Sequence, residues 1–127
     1  MPSQPLVLIV DDEVICQTIV AAMVRKIGLT PLTASDGREA VDIFVQHRQE
    51  ICCILMDLQM PRMDGKEACQ LIREIDADMP VVFASGYLDT CNRALLEPLQ
   101  PTGYLRKPVG FGELSELLSG ILTLTRQ

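Results

Sequence analysis

The chain has 127 residues, of which 48% are hydrophobic, and its 11 Lys and Arg against 17 Asp and Glu give a formal net charge of -6. This length accommodates one hydrophobic core, so we expect a single domain over residues 1–127, and the apolar fraction excludes a disordered chain. The acidic balance argues against direct binding to nucleic acid or to an anionic membrane, because phosphate groups are neutralised by basic patches. Cations and basic protein surfaces are the ligands that this charge favours.

The sequence indicates neither a leader peptide nor a membrane span. Residues 1–5 have no charged-then-apolar pattern, and no apolar run is long enough to cross a bilayer. Five cysteines, an odd number without a CxxC spacing, predict reduced thiols. We therefore expect a cytoplasmic protein, or a part of a larger protein that faces the cytosol. The adjacent Cys52 and Cys53 are predicted to point to opposite faces of a strand.

Short apolar runs alternate with segments of helical periodicity along the chain. The runs that predict strands are residues 6–10, 30–34, 51–56, 80–84 and 103–106. Helices are predicted over residues 14–27, after Asp36, after Gly65, over residues 89–96 and around residues 114–122, where apolar residues recur at three- and four-residue steps. The first helix has two such stripes, one through Ile15, Ile19 and Met23 and one through Val20, Val24 and Ile27. Since helical connections force parallel pairing, we expect an α/β fold with a five-stranded parallel sheet and five alternating helices on both faces.

Polar residues follow four of the five predicted strands. Asp11 and Asp12 follow the first, Asp57 the third, Ser85 the fourth and Lys107 the fifth. In an open parallel sheet these carboxyl ends lie along one edge, where ligands bind. Crowded carboxylates raise one another's pKa unless a cation intervenes, and an all-oxygen cluster suits Mg2+. The pattern predicts a magnesium site, and no His or Cys is placed to build a zinc site.

Two further strand-end residues indicate the chemistry of this edge. Lys107, opposite three acids, is interpreted as the counter-ion of an anionic ligand, and the Ser85 hydroxyl is placed to hydrogen-bond a phosphoryl oxygen. A metal, a carboxylate, a hydroxyl and an ammonium at one point are typical of phosphoryl transfer, which depends on positioning and charge neutralisation. Asp57 is the predicted nucleophile, which would form an acyl phosphate.

The ordered set of strand-end residues resembles the receiver domain of two-component response regulators. The resemblance covers essentially the whole chain, and the matching residues are Asp11-Asp12, Asp57, Met60-Pro61 with Asp64-Gly65, Ser85, Tyr104 and Lys107-Pro108. It implies a flavodoxin-like fold and Mg2+-dependent phosphorylation on aspartate by a histidine kinase or a histidine phosphotransfer protein. It also implies slow self-dephosphorylation, so we expect a signalling domain and not an enzyme, with at most self-phosphorylation from small donors.

The resemblance assigns a role to each matching residue. Asp57 is implied to be the phosphoacceptor. Mg2+ is implied to bind Asp12, Asp57 and the backbone carbonyl of Gln59, with Asp11 acting through a water.

A conformational switch is also implied by the resemblance. Ser85 and Tyr104 resemble the switch pair of the family, in which the hydroxyl moves to the phosphoryl group and the aromatic ring follows inward. The signal is then expected to leave through the fourth helix, fifth strand and fifth helix, toward a downstream protein target or a fused output domain. The loop over residues 59–65 resembles receivers of hybrid histidine kinases, and dimerisation on phosphorylation is left open.

Three alternatives to a phosphorylated receiver fit the sequence less well. An aspartate-nucleophile phosphohydrolase typically has a second acid two residues after the nucleophile, where this chain has Gln59. A flavin-binding module needs a Ser-, Thr- and Gly-rich loop after the first strand, where this chain has three acids at residues 11–13. A receiver that only docks, without phosphorylation, would be favoured by loss of a site residue, and none is missing. Four scattered arginines are interpreted as solvated charges: Arg62, Arg73, Arg93 and Arg106.

Overall fold

Five strands and five helices alternate along the computed structural model, which describes residues 5–58, 60, 63–86 and 90–125, without the side chains of residues 90–92 and 124–125. The strands are β1 (Leu6–Val10), β2 (Thr30–Ala34), β3 (Ile51–Asp57), β4 (Val81–Ser85) and β5 (Gly103–Arg106). The helices are α1 (Val14–Ile27), α2 (Gly37–His47), α3 (Gly65–Ile75), α4 (Thr90–Leu96) and α5 (Phe111–Thr125). A short 3-10 turn (Glu97–Leu99) follows α4, at the point where Pro98 interrupts the helical hydrogen bonding.

All strand pairs are parallel, and the strand order is β2-β1-β3-β4-β5. The predicted α/β fold is therefore confirmed. The apolar side chains form two buried clusters, one on each face of the sheet. The α1/α5 cluster contains residues of α1 and α5, and the α2–α4 cluster contains residues of α2, α3 and α4.

The alternation of side chains along each strand decides which face every strand-end residue occupies. On β1, Val7 and Ile9 belong to the α1/α5 cluster, so Asp11, two residues further, continues on that face. Asp57 comes two residues after Leu55, and Lys107 two residues after Leu105. Both leucines belong to the α1/α5 cluster, so Asp57 and Lys107 also lie on the α1/α5 face. Ser85 and Tyr104 have the opposite parity and lie on the α2–α4 face.

Local sequence signals explain where several helices begin and end. The side chain of Asp36 accepts a hydrogen bond from the Glu39 amide at 2.8 Å, and that of Asp64 accepts one from the Glu67 amide at 2.9 Å. These carboxylates cap α2 and α3, because the first amides of a helix have no partner within it. Gly28 ends α1 with a φ of 103°, a left-handed conformation that glycine adopts without steric cost.

Arg73 of α3 ties the connection between α4 and β5 to the body of the domain. Its Nε donates to the carbonyl of Leu99 at 2.8 Å, and its terminal nitrogens donate to the carbonyls of Met79 and Gln100. The interpretation of Arg73 as a solvated charge is therefore wrong. One guanidinium, with its five N–H donors, serves three backbone carbonyls of the loops around it.

The two apolar stripes of α1 differ in burial, and one prediction of side-chain direction, that for Cys52 and Cys53, is wrong. Ile15 and Ile19 of α1 are 75% and 51% exposed, whereas Val20 and Val24 of the other stripe are buried. Cys52 and Cys53 both contact the α1/α5 cluster, because the pairing of β1 with β3 shifts register at this point and interrupts the alternation.

Some predictions concern residues that the structure does not describe. The predicted start of the fourth helix, at residue 89, lies outside the described residues, and α4 is described from Thr90. Pro61 and Arg62 also lie outside them. Among the described segments, no helix combines the length and the hydropathy needed to cross a membrane.

Candidate functional site

Three carboxylates and one ammonium converge at the carboxyl edge of the sheet. One carboxylate oxygen each from Asp11, Asp12 and Asp57 lies within 4.8 Å of the other two. The Nζ of Lys107 lies 2.7 Å from Oδ2 of Asp11 and 3.2 Å from Oδ2 of Asp57. The strand ends therefore bring these four residues together although they are up to 96 positions apart in the sequence.

The four charges differ in their exposure to water. The side chains of Asp11 and Asp57 are only 7% and 8% exposed, that of Lys107 is 21% exposed, and Asp12 lies in solvent. Burial by itself lowers the pKa of Lys107, but the hydrogen bond to Asp11 and the negative charge of Asp57 outweigh burial and raise it. Lys107 is therefore held in its charged form by the two carboxylates that it contacts.

Asp11 is fixed in place through both of its carboxylate oxygens and its carbonyl. Its Oδ1 accepts the Glu13 amide at 2.9 Å, and its Oδ2 accepts from Lys107. Gln17 is buried on α1, and its Nε2 donates to the Asp11 carbonyl at 2.6 Å and also to Ala34 and Ser35. Gln17 was not predicted from the sequence, although its place one turn before Val20 and two turns before Val24 puts an amide on the buried face of α1.

The backbone at the start of α3 lies close against the backbone of Asp57 at the end of β3. The Gly65 amide donates to the Leu58 carbonyl at 3.1 Å, so α3 begins directly against the end of β3. A Cβ atom on residue 65 would collide with the carbonyl of Asp57 and would crowd the side chain of Met56. Only glycine allows this approach, which accounts for its place after the capping Asp64.

Ser85 and Tyr104 lie on the opposite face of the sheet from Asp11 and Asp57. Ser85 is buried at the end of β4, and Tyr104 pairs with Phe83, two residues before Ser85 on the same strand. Ser85 and Tyr104 are thus diagonal neighbours on one face, since side chains two residues apart point the same way. Gln59, predicted to bind the metal through its carbonyl, lies outside the described residues.

The carboxylates have the chemistry of a magnesium site. Asp11, Asp12 and Asp57 offer oxygen atoms only, and the ammonium of Lys107 opposes their three charges. Ligand atoms of Asp11, Glu13 and Cys16 also lie within 4.8 Å of one another. This second group includes a thiol, which hard cations such as Mg2+ do not prefer. The oxygen-only set therefore fits Mg2+, which binds a few carboxylates and keeps its remaining waters.

An apolar surface adjoins the charged edge. A cavity of about 330 Å3 opens beside Asp11 and Lys107. Its apolar lining includes Ile19, Val20, Leu55, Ala84, Leu105 and Val109. Val14 and Ile15, on the outer side of the same helix end, are 68% and 75% exposed. We call Val14, Ile15 and Ile19 the α1 patch. Large apolar side chains grouped in solvent beside a polar site are typical of a protein-binding surface.

The sheet order and the carboxylates at its carboxyl edge define a class of α/β signalling domain. The family model of the response regulator receiver domain matches residues 7–119. The chain belongs to this family of two-component signalling domains, and the resemblance noted in the sequence is confirmed.

Two longer proteins are similar to this chain over most of its length. The chain is 34% identical over 121 residues to the "Probable transcriptional regulator ycf27" of Guillardia theta, covering 95% of this chain and 46% of that protein. It is 34% identical over 118 residues to the "Autoinducer 1 sensor kinase/phosphatase LuxN" of Vibrio campbellii, covering 93% of this chain and 14% of that protein. The chain thus spans about half of the first relative and about a seventh of the second.

A solved structure shares the fold. The CheX-CheY-BeF3-Mg+2 complex from Borrelia burgdorferi contains a chain that matches with a TM-score of 0.88 and 25% identity. The match covers 93% of this chain and 89% of that chain.

Proposed function

We propose that the chain accepts a phosphoryl group on Asp57 from a phosphohistidine of a histidine kinase or a histidine phosphotransfer protein. In this transfer the P–N bond of the donor breaks, its electron pair stays on the imidazole, and a P–O bond forms to a carboxylate oxygen of Asp57. The observation that carries the proposal is the Asp57 carboxylate itself, which is nearly buried, lies at the carboxyl edge and contacts Lys107 at 3.2 Å. The receiver family to which the chain belongs makes this the best-supported function.

We propose that Mg2+ is the cofactor, held by Asp12 and Asp57 and by the carbonyl of Gln59, with Asp11 acting through a water. When bound, this ion neutralises charge on the transferring phosphoryl group. Asp11 is suited to an indirect role because both of its oxygens already accept hydrogen bonds. Asp12 is exposed, and one of its oxygens lies within 4.8 Å of the other carboxylates. The similar chain from Borrelia burgdorferi was solved in a complex that contains Mg2+, which supports the choice of this ion.

Lys107 and Ser85 are proposed to receive the phosphoryl oxygens. The Lys107 ammonium already lies between two carboxylates, so it is placed to neutralise a new negative charge on Asp57 without a large movement. Ser85 ends the neighbouring strand at the same edge and offers a hydroxyl. We propose that Ser85 then turns toward the phosphoryl group and that Tyr104 follows inward, altering the surface of α4, β5 and α5.

The α1 patch is proposed as the docking site of the protein that donates the phosphoryl group. Any protein donor has to bring its phosphohistidine to Asp57, and the surface beside that residue becomes buried in the encounter. The exposed isoleucines and the apolar cavity supply a hydrophobic contact there. The donor is expected to present apolar side chains, flanked by basic residues that complement the acidic edge.

The wider assignments follow from the same proposal. We propose a single receiver domain over residues 1–127 that acts in the cytoplasm and signals to a downstream protein or to a fused output domain, with direct nucleic-acid binding disfavoured by the net charge of -6. Besides accepting the phosphoryl group from its protein donor, its chemistry is at most self-phosphorylation from small donors and self-dephosphorylation.

The proposal is tested by incubating the protein with acetyl phosphate and Mg2+ and weighing it by intact mass spectrometry. We expect the mass of one added phosphoryl group in the wild type. Asp57→Asn should show none, because an amide is a poor nucleophile. Asp42→Asn, a matched change at an exposed aspartate of α2, should incorporate as much as the wild type.

Removing the metal gives a second, independent measurement. Chelation of Mg2+ and the Asp12→Ala variant should each reduce incorporation strongly while the circular dichroism spectrum stays native. Labelling of Asp57→Asn to the wild-type level would refute the assignment of the phosphoacceptor. A wild type that stays unlabelled under all conditions would favour the docking receiver that needs no phosphorylation.

A further inference from the structure

Arg93 of α4 contacts the aromatic ring of Tyr104 on β5. Its guanidinium carbon lies 4.7 Å from the ring centroid, within the range of a cation–π interaction. Arg93 is exposed, and β5 is an edge strand, so the contact closes the outer side of the ring. Arg93 is solvated, as interpreted from the sequence, and it contacts the ring as well.

The hydroxyl group of Tyr104 does not explain why the ring is held in this position. The Tyr104 oxygen is buried and finds no hydrogen-bond partner among the described residues. A buried hydroxyl without a partner is unfavourable, because it has lost the hydrogen bonds that water provides. The ring packs against the α2–α4 cluster, so ring contacts, including the one with Arg93, must offset the cost of the hydroxyl.

Charges on α4 and on the turn after it act on this hydroxyl. Burial first, and then the negative charge of Glu97, raise the pKa of Tyr104, while the positive charge of Arg93 lowers it. Arg93 and Glu97 are four residues apart and so lie one helical turn from each other. Both charges therefore act on Tyr104 from α4 and the turn that follows it.

We propose that Arg93 is a positioning residue that holds the Tyr104 ring beside α4 and thereby restrains its movement toward Ser85. The contact itself is independent of phosphorylation, whereas its effect on the response rests on the proposed function. In physical terms Arg93 stabilises one of two ring positions, and a residue that favours one state shifts the population by its differential contact alone. Loss of Arg93 should thus release the ring toward the position that phosphorylation favours.

The contact is tested by a double-mutant cycle in urea unfolding. Arg93→Ala should reduce the equilibrium constant for folding about two- to fivefold, the size of an exposed cation–π interaction. In the Tyr104→Leu background the same change should have little effect, because the ring is gone. Arg38→Ala, at an exposed arginine of α2, controls for loss of charge and should act equally in both backgrounds. An equal effect of Arg93→Ala in both backgrounds would overturn the proposal.

The effect on the switch is tested by NMR of the Tyr104 ring with and without acetyl phosphate and Mg2+. In Arg93→Ala the ring signal should move, before any donor is added, in the direction that phosphorylation causes in the wild type. The donor should then cause a smaller further shift, while incorporation at Asp57 stays at the wild-type level. Ring shifts identical to those of the wild type at both stages would contradict the restraint by Arg93.

These measurements separate the two proposals. If the wild type takes up no phosphoryl group, the proposed function fails, and the double-mutant cycle still decides whether Arg93 positions Tyr104. If the wild type is phosphorylated and Arg93→Ala behaves like it in both assays, only the role of Arg93 fails. Arg93→Lys, which keeps the charge but loses the flat guanidinium, should lie between the wild type and Arg93→Ala.

Discussion

The two faces of the sheet hold their functional residues in different ways. On the α1/α5 face, Asp11 accepts hydrogen bonds through three oxygens and Lys107 contacts two carboxylates. On the α2–α4 face, the Tyr104 hydroxyl is buried without a partner among the described residues, and the exposed Arg93 covers the ring. The first region is fixed by several contacts at each group, which suits chemistry that depends on position. In the second, the hydroxyl of Tyr104 has no hydrogen-bond partner among the described residues, which suits a ring that moves.

Strand alternation produces this separation. Lys107 follows β5 on one face, and Tyr104 lies three residues earlier on the other, so one short strand serves both regions. Under the proposed function, a change of charge at Asp57 would act on the second region through the strand ends and not through direct contact with Tyr104. The rigidity of the first region and its separation from the surrounding surfaces can each be tested by substitution.

The largest effect is expected at Gly65. A methyl group there would collide with the Asp57 carbonyl, so Gly65→Ala should lower the free energy of unfolding by about 2–3 kcal/mol, as overpacking does. Phosphoryl incorporation should fall as well, because the end of β3 shifts. Gly120→Ala in α5 is the control: no atom approaches its added carbon within 4 Å, and alanine should stabilise the helix by about 0.5–1 kcal/mol. A native stability and activity in Gly65→Ala would show that the first region tolerates displacement.

A smaller effect is expected on removing the ammonium from the carboxylate cluster. Lys107→Met leaves Asp11 and Asp57 nearly buried without their counter-ion, so unfolding in the absence of Mg2+ should become easier by about 1–2 kcal/mol, less than for a fully buried pair because Lys107 reaches water. Millimolar Mg2+ should recover part of this loss and should bind more tightly than in the wild type. Thermal unfolding with a Mg2+ titration measures both. Arg106→Met, at the exposed neighbouring residue, should change neither the stability nor the Mg2+ response. If Lys107→Met responded to Mg2+ as the wild type does, Lys107 would not be part of the site.

The smallest effect on stability is expected in the α1 patch, where a substitution should affect only phosphoryl transfer from a protein donor. Ile15→Ser alters an exposed side chain, so the free energy of unfolding should change by no more than about 0.5 kcal/mol. Labelling by acetyl phosphate should stay the same. Transfer from a phosphorylated histidine phosphotransfer protein that labels the wild type should slow about tenfold, the loss expected for an interface residue that contributes more than about 1 kcal/mol. Val45→Ser, at a similarly exposed valine of α2, should leave both reactions unchanged; equal slowing in that variant would argue against the patch.

The sequence predicted the strands, their direction and the residues at their ends, because a buried strand needs a continuous apolar run and its polar terminator stands out. It did not predict the outward direction of Ile15 and Ile19. Both stripes of α1 have helical spacing, and only the packing of α5 and the sheet decides which one is buried. The same limit applies to Cys52, whose direction depends on a register shift between β1 and β3.

Polar contacts between distant residues were the least predictable part of the site. Asp57 and Lys107 were found because charged residues at strand ends are few. Gln17, Arg73 and Arg93 act on groups that lie 6 to 27 residues away, through contacts that no local pattern records. From the sequence alone, such residues are expected to be exposed polar or charged side chains. Only the folded structure distinguishes a solvated arginine from one that binds a carbonyl or a ring.

The three hydrogen bonds from Arg73 limit the kind of motion that α4 can make. Two of them attach the carbonyls of Leu99 and Gln100 to α3, directly after the carboxyl end of α4. A displacement of α4 would therefore be a rotation about that end, with the greatest travel at Thr90, where the helix begins. The affinity of a protein that binds at the start of α4 would therefore depend on the orientation of the helix. A protein that binds the 3-10 turn would contact a surface that does not move.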